Sequence, residues 1–200
     1  MSHRKGGFEL QRHVNSFIWE VTTMTTTTAN HNIITDPVQG RTRLWELIQD
    51  IRFAMFTTRH SNGHLHSRPM TTQNSSLGED SSLWFFMSRK GEPLHDITAD
   101  SVVNLVYADP DEDTYVSISG TAEVVEDQAK KEQLWTAMAK AWFPGGTTDP
   151  DLALVQVRIE HANYWDIEES RIVQLLHMAR AAMTGTPPMQ LGNHAEIRLG

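Results

Sequence analysis

The segment 115–125 alternates almost without fault between apolar and small polar side chains. Because successive side chains of a strand point to opposite faces, this pattern predicts a β-strand with two different sides. The side chains expected to face a hydrophobic core are Val116, Ile118, Ala122 and Val124. The opposite side carries Tyr115, Ser117, Ser119 and Thr121. A row of hydroxyl groups behind a core-facing row can form the wall of a polar ligand site.

Composition and charge exclude several classes of protein. The 200 residues suffice for one domain with a sizeable core. The formal net charge of -8 disfavours nucleic-acid and anionic-membrane partners, because both present negative charge. The absence of cysteine excludes disulfides, thiolate nucleophiles and iron–sulfur clusters. No apolar run approaches the roughly 18 residues of a membrane span, and no secretory signal is recognised, so we expect a cytoplasmic protein.

The chain divides by composition into three parts. Residues 1–36 are rich in threonine and show no sustained period, which predicts a disordered or loosely attached N-terminal tail. Residues 37–184 are predicted to form one domain. Residues 185–200 begin with a segment that contains glycine and proline and ends the preceding predicted helix. They are predicted to be a C-terminal extension.

Hydrophobic periodicity predicts about seven strands and a few helices. The dipeptide Asn62-Gly63 between two extended runs predicts a β-hairpin. The predicted strands are 53–58, 65–73, 83–88, 102–108, 115–125 and a last antiparallel pair, 152–159 with 164–167. The predicted helices are 42–51, entered after Asp36-Pro37, a short one at 94–99, 127–140 with Asp127 as N-cap, and 172–183. This order predicts a mainly β protein with flanking helices, arranged as an antiparallel barrel.

Histidines surround the predicted hairpin at positions 60, 64 and 66. Alternate spacing places His64 and His66 on one face of a strand, where the two imidazoles could be two ligands of a metal ion. A third ligand at suitable spacing is missing, so the sequence predicts solvent-exposed histidines and no metal site.

Four segments, in order, resemble the general stress protein branch of the pyridoxamine 5'-phosphate oxidase-like flavoproteins. They are Ser67-Arg68-Pro69-Met70, residues 83–88, residues 115–125 and Trp142-Phe143-Pro144-Gly145-Gly146, with Asp149-Pro150 and Tyr164-Trp165-Asp166 beyond. The resemblance covers residues 42–200. It implies the FMN-binding split β-barrel fold, and a homodimer that holds FMN, with FAD as the alternative, in a groove at the subunit interface.

The resemblance and the residue chemistry together predict a flavin site. A phosphate requires a cation and several donors, and the predicted ends of adjacent strands supply Arg68, Thr71, Ser88, Arg89 and Lys90. A flat apolar slot for the ring is expected from Pro69, Met70, Phe86, Met87 and Trp142. Ser117 faces either the cofactor or solvent. Trp142 either lines the slot or belongs to ordinary core or dimer packing.

Two departures from the family pattern bear on function. The pattern carries a lysine about four residues before Ile97, where this chain has Pro93, so Lys90 or Arg89 is expected to replace that cation. The C-terminal arginine-and-histidine motif of the true oxidases is missing. We therefore expect a flavin-dependent oxidoreductase of the general stress type, without an identified catalytic residue. The alternatives are a non-catalytic flavin carrier or sensor and, third, a pyridoxamine or pyridoxine 5'-phosphate oxidase.

Overall fold

The computed structural model describes residues 32–166, 171–185 and 193–199. The predicted N-terminal tail lies outside these residues up to position 31. Its last residues form the short strand β1 (Asn32–Ile34). Helix α1 (Pro37–Ile48) follows, and it begins at the predicted Asp36-Pro37 signal because the Asp36 side chain accepts a hydrogen bond from the Gln39 N–H at 2.8 Å.

Among the described residues, one sheet contains all eight strands. After β1 these are β2 (Ala54–Arg59), β3 (Leu65–Met70), β4 (Ser82–Ser88), β5 (Val102–Asp109), β6 (Thr114–Val125), β7 (Leu152–Asp166) and β8 (Asn193–Arg198). Their order is β1-β8-β7-β6-β5-β2-β3, and β4 pairs with β7 outside that path. The β1–β8 pairing is parallel and the other pairings are antiparallel. The prediction of a mainly β fold is confirmed, and the purely antiparallel arrangement is wrong at this edge.

One additional contact links β3, at one end of the strand path, to β4, which lies outside that path. Beyond the end of β3, an isolated antiparallel bridge connects Thr72 with Phe85 of β4. Next to it, the Gln73 N–H donates to the carbonyl of Trp84 at 2.9 Å. The chain that leaves β3 therefore runs beside β4.

The predicted hairpin between β2 and β3 is confirmed. The two strands pair antiparallel from Ala54↔Met70 to Arg59↔Leu65. Gly63 adopts a positive φ of 84°, which only glycine tolerates easily, and the His64 N–H donates to Oδ1 of Asn62 at 2.9 Å. The turn residues thus close the loop as their chemistry predicts.

The alternation along β6 is confirmed. Val116 and Ile118 are fully buried, whereas Ser117 and Ser119 on the opposite face are half-buried. On that outer face, Nδ2 of Asn104 from β5 donates to Oγ of Ser117 at 3.0 Å. Strand β5 therefore fixes one hydroxyl group of the polar face of β6 by a hydrogen bond.

The final predicted strand pair is wrong, because residues 152–166 form the single strand β7. Residues 160–163, which the prediction left between the two strands, continue β7, and His161 and Asn163 pair with Arg198 and Glu196 of β8. Nδ1 of His161 lies 3.2 Å from Oε1 of Glu196, so the polar pattern reflects an outer face with a partner. Ile167, the last residue of the predicted strand, lies outside the described residues.

A bulge interrupts the long pairing between β6 and β7. The register shifts between Ser119 and Gly120. At this point the strands approach so closely that a Cβ atom on Gly120 would lie 2.1 Å from the carbonyl oxygen of Arg158. Glycine is therefore required by a close approach of two backbones.

The predicted helix 127–140 is also wrong in its length. The chain forms α2 (Glu92–Ala99), α3 (Gln128–Leu134), α4 (Ala139–Trp142), a 3-10 turn (Gly146–Thr148) and α5 (Arg171–Thr184). Asp127 caps α3 as predicted, but Trp135 is extended and stops the helix. Oγ1 of Thr136 then accepts from the Ala139 N–H at 3.2 Å and starts α4. In the described part of the chain, no helix has the length and apolar character needed to cross a membrane.

Strand β4 is buried on both faces and separates two apolar clusters. Leu83, Phe85 and Met87 point into the larger cluster, which lies between the sheet and helices α1 and α2. Trp84 and Phe86 point into the smaller one, which includes residues of α3, α4 and β7. The C-terminal end of β4 therefore sits where both clusters meet, beside the cavity described next.

Candidate functional site

A cavity of about 1020 Å³ opens at the C-terminal end of β4. Its walls come from the end of α1 and the chain after it, the segment that follows β3, the start of α2, and the α3–α4 region. The apolar side chains of the wall include Trp45, Phe53, Met70, Phe86, Met87, Met138, Trp142 and Phe143. Polar groups are fewer and include Gln49, Thr71, Gln73, Asn74 and Thr136. This is the composition of a site for a flat, mostly apolar molecule.

Seven of the predicted flavin-site residues line this cavity. They are Pro69, Met70, Thr71, Phe86, Met87, Ser88 and Trp142. Trp142 is 79% exposed, so in this chain it is a free aromatic surface at the cavity rather than core. The other four predicted residues, Arg68, Arg89, Lys90 and Ser117, are not in the wall.

Arg68 lies on β3 and is turned toward helix α2. Its Nη1 donates to Oγ1 of Thr58 at 3.1 Å, and its guanidinium nitrogens lie 3.8 Å from carboxylate oxygens of Glu92 and Asp96. Two carboxylates therefore offset the positive charge of Arg68, which the sequence predicted to bind a phosphate. A phosphate at this position would have to compete with Glu92, whose side chain is exposed.

The buried Asp96 organises this corner. Its Oδ2 accepts from Oγ1 of Thr58 at 2.7 Å, and its Oδ1 lies 2.9 Å from Nδ1 of His60. Burial by itself would raise the pKa of Asp96, but the hydrogen bonds from Thr58 and His60 and the proximity of His60 and Arg68 outweigh it and lower the pKa below the usual value. Asp96 is therefore an ionised, acceptor-only group at neutral pH.

Asp151 takes the donors that the sequence offers to a phosphate at the end of β4. Oγ of Ser88 donates to Oδ2 of Asp151 at 2.7 Å, and the Lys90 N–H lies 3.3 Å from its Oδ1. The Ser88 hydroxyl lowers the pKa of Asp151 against the opposing effect of burial, and Lys90 reinforces the shift. A carboxylate of the chain itself therefore lies in the cavity wall and engages the hydroxyl of Ser88, which was predicted to bind the cofactor.

Arg89 is directed away from the cavity. Its Nη2 donates to Oε1 of Glu126, and the other carboxylate oxygen, Oε2, lies 3.5 Å from Nζ of Lys131. The hydrogen bond from Arg89 is the largest of the effects that lower the pKa of Glu126. Arg89 thus ties the end of β4 to the chain between β6 and α3.

The structure adds residues that the sequence did not single out. Arg52 is the basic side chain in the described wall of the cavity, and its Nη2 lies 3.4 Å from Sδ of Met138. Asn74 fastens the segment after β3 to β4, because its Oδ1 accepts from the Trp84 N–H at 2.8 Å and its Nδ2 donates to the Ser82 carbonyl at 2.9 Å. The available sequence signal was a polar loop next to an aromatic strand. Such a loop does not indicate which way its side chains point.

Comparison with known proteins agrees with this architecture. The chain is 30% identical to the general stress FMN/FAD binding protein of Xanthomonas citri, with a TM-score of 0.57 over 66% of this chain and 92% of that one. General stress protein 26 of Bacillus anthracis str. Sterne shares the fold at 21% identity, with a TM-score of 0.54 over 63% of this chain and 91% of that one. Protein bli-3 of Neurospora crassa is 27% identical over 145 residues, which are 68% of this chain and 69% of that protein.

The family itself follows from a broader match. The family model described as pyridoxamine 5'-phosphate oxidase like matches residues 39–188, a range that includes the cavity wall and strands β2 to β7. The structural neighbours named above are of the general stress type. The chain therefore belongs to the pyridoxamine 5'-phosphate oxidase-like family, with general stress proteins as its relatives.

Proposed function

We propose that this chain binds FMN, with FAD as the alternative, in the cavity at the end of β4, and that it acts as a flavin-dependent oxidoreductase. The observation that carries the proposal is the cavity itself, which is large, mostly apolar and bordered by aromatic side chains. The FMN/FAD binding protein of Xanthomonas citri, at 30% identity, supports the choice of ligand.

The wall fits the ring end of a flavin. The cavity volume of about 1020 Å³ lies at the upper end of the range for ligand sites, which is roughly 300–1,000 Å³. Phe86 and Met87 provide an apolar floor, the exposed indole of Trp142 provides a surface for stacking, and Gln73 offers polar contacts at the edge. When bound, a flavin supplies hydride or electron transfer, whereas the protein orients it and excludes water.

The phosphate end fits less completely. Arg52 lies in the wall, whereas Arg68 is engaged by Glu92 and Asp96. The Ser88 hydroxyl and the Lys90 N–H can donate to a phosphate only if their hydrogen bonds to Asp151 break. Loss of this one carboxylate charge should therefore favour a phosphate.

Replacing Asp151 with asparagine is expected to tighten FMN binding several-fold, because the substitution keeps the size of the side chain and removes a negative charge next to the predicted phosphate donors. Riboflavin has the same ring and no phosphate, so its affinity should stay unchanged. Both affinities can be measured by fluorescence titration. Equal gains for the two ligands would contradict a phosphate beside Ser88.

The non-catalytic alternative has a specific observation in its favour. In the described wall, the titratable side chains are Arg52 and Asp151. Asp151 has a lowered pKa and Arg52 stays charged, so neither is suited to exchange protons near neutral pH. A flavin carrier or sensor needs no such group, and we keep it as the second candidate.

We also propose a split barrel and a homodimer. The bridge between Thr72 and Phe85 supports closure of the sheet, because it links the segment after β3 to β4. A second copy is supported by apolar side chains on the outer face of the sheet that are 39–63% exposed: Met55, Val102, Tyr115 and Trp165. A cytoplasmic location stays a prediction.

Native mass spectrometry of the purified full chain, with FMN added in slight excess, tests ligand and assembly together. The expected species is a dimer that retains one flavin per chain. Colourless protein that keeps no FMN would overturn the flavin proposal, and a monomer with FMN would overturn the dimer alone. Steady-state consumption of NAD(P)H under oxygen then separates an enzyme from a carrier, which stops after one equivalent.

A further inference from the structure

The hairpin between β2 and β3 brings a second set of functional groups together, away from the cavity wall. The rings of His60 and His66 stack, with centroids 4.7 Å apart and planes inclined by 11°. Glu92, the first residue of α2, lies beside them. One ligand atom from each of the three side chains lies within 4.8 Å of the others. We propose that His60, His66 and Glu92 bind a divalent transition-metal ion, with Zn²⁺ as the expected occupant.

The orientation of His60 supports this site. Its Nδ1 lies 2.9 Å from Oδ1 of the buried Asp96. With Nδ1–H of His60 donated to this carboxylate, Nε2 is the ring nitrogen left to bind a metal. A carboxylate that orients a ligating histidine in this way is the usual outer support of zinc sites. Thr58 in turn fixes Asp96 through its other oxygen at 2.7 Å.

The local charge favours a cation. The charged groups around the two imidazoles are Glu92 and Asp96, both negative, and Arg68, which is positive. The charges of these three side chains sum to -1, which attracts a cation. Arg68 weakens the attraction, so we expect a weaker site than a buried structural zinc centre.

The ligand set matches the chemistry of zinc. Two imidazole nitrogens and one carboxylate oxygen leave a fourth tetrahedral position for water. Tetrahedral ligands at about 2.1 Å from Zn²⁺ are roughly 3.4 Å apart. The ligand atoms here lie within 4.8 Å of one another, so the three side chains must approach one another by up to about 1.4 Å. Glu92 is exposed and His66 is half-buried, so both can move that far without disturbing the core.

Titration of flavin-free, chelator-treated full chain with Co²⁺ and Zn²⁺ tests the proposal. Co²⁺ should give the visible absorption bands of a tetrahedral site at one equivalent, and Zn²⁺ should displace it. The His66→Gln and Glu92→Gln variants should each weaken binding at least about tenfold, as the removal of supporting or direct ligands does.

His64→Gln is the matched control. His64 belongs to the same hairpin and is exposed, but it is not part of the cluster, so its substitution should leave the titration unchanged. Equal weakening by His64→Gln and His66→Gln, or absence of tetrahedral bands in the wild-type chain, would overturn the proposal. Because the titration contains no flavin, its outcome is independent of FMN binding.

Discussion

Replacing Gly120 with alanine is expected to cause a large loss of stability. The new Cβ atom would lie 2.1 Å from the Arg158 carbonyl oxygen and 3.1 Å from its carbon, so the backbones of β6 and β7 must separate. Overpacking of this kind costs typically 1–3 kcal/mol and more against rigid backbone, so we expect about 3 kcal/mol. For a chain of this size, that lowers the thermal midpoint by roughly 6–12 °C.

Gly78→Ala is the control for this prediction. The chemical change is the same, but Gly78 is exposed and the contact closest to its new Cβ, at 3.0 Å, is the mobile carboxylate of Asp80. Thermal unfolding followed by circular dichroism should show little change for this variant. If Gly120→Ala unfolds at the temperature of Gly78→Ala, the strands at the bulge are farther apart than described.

Replacing Trp142 with alanine is expected to weaken FMN binding by about one to two orders of magnitude without a loss of stability. Stacking of an aromatic side chain on a nucleobase contributes roughly 1–3 kcal/mol, and we expect a similar contribution on a flavin ring. Each ~1.4 kcal/mol corresponds to a factor of ten in affinity. Trp142 is 79% exposed without ligand, so the core loses almost no packing.

Trp165→Ala separates a local effect from a general one. Trp165 is 44% exposed, but it stacks on His194 at the outer face of the sheet and is not part of the cavity wall. In variant protein whose subunit number by native mass spectrometry matches that of the wild-type chain, fluorescence titration with FMN should give the wild-type affinity. If Trp165→Ala weakens binding as much as Trp142→Ala does, the flavin lies elsewhere.

Local sequence signals predicted the elements whose side chains obey a short period. The hydroxyl–apolar alternation of β6 and the Asn62-Gly63 turn are confirmed because each depends on residues adjacent in sequence. β7 was divided wrongly because the mostly polar residues 160–163 interrupt its apolar pattern, and only the pairing of 161–163 with the distant β8 shows that they continue the strand. The length of α3 depends on the extended backbone at Trp135, which tertiary packing imposes.

The cavity was predicted better for its apolar than for its charged residues. Phe86 and Trp142 lie where an aromatic strand and a helix end were expected to meet. Charged side chains reach several partners, and spacing does not say which one they meet. Arg68 therefore contacts Glu92 and Asp96, and Ser88 contacts Asp151, although the sequence predicted Arg68 and Ser88 as phosphate contacts. For the same reason, spacing along the sequence did not show that the ring of His66 stacks on His60 rather than lying beside His64.

The pairing of β4 with β7 has a consequence for synthesis of the chain on the ribosome. The apolar run Leu83–Met87 emerges early, whereas its partner residues 153–157 are made much later. Until then, a strand rich in aromatic residues and free of charge and proline is exposed to other nascent chains, which is the signature of an aggregation hazard. Chaperone demand should therefore fall sharply once residues 152–158, which pair with β4, have emerged from the ribosome.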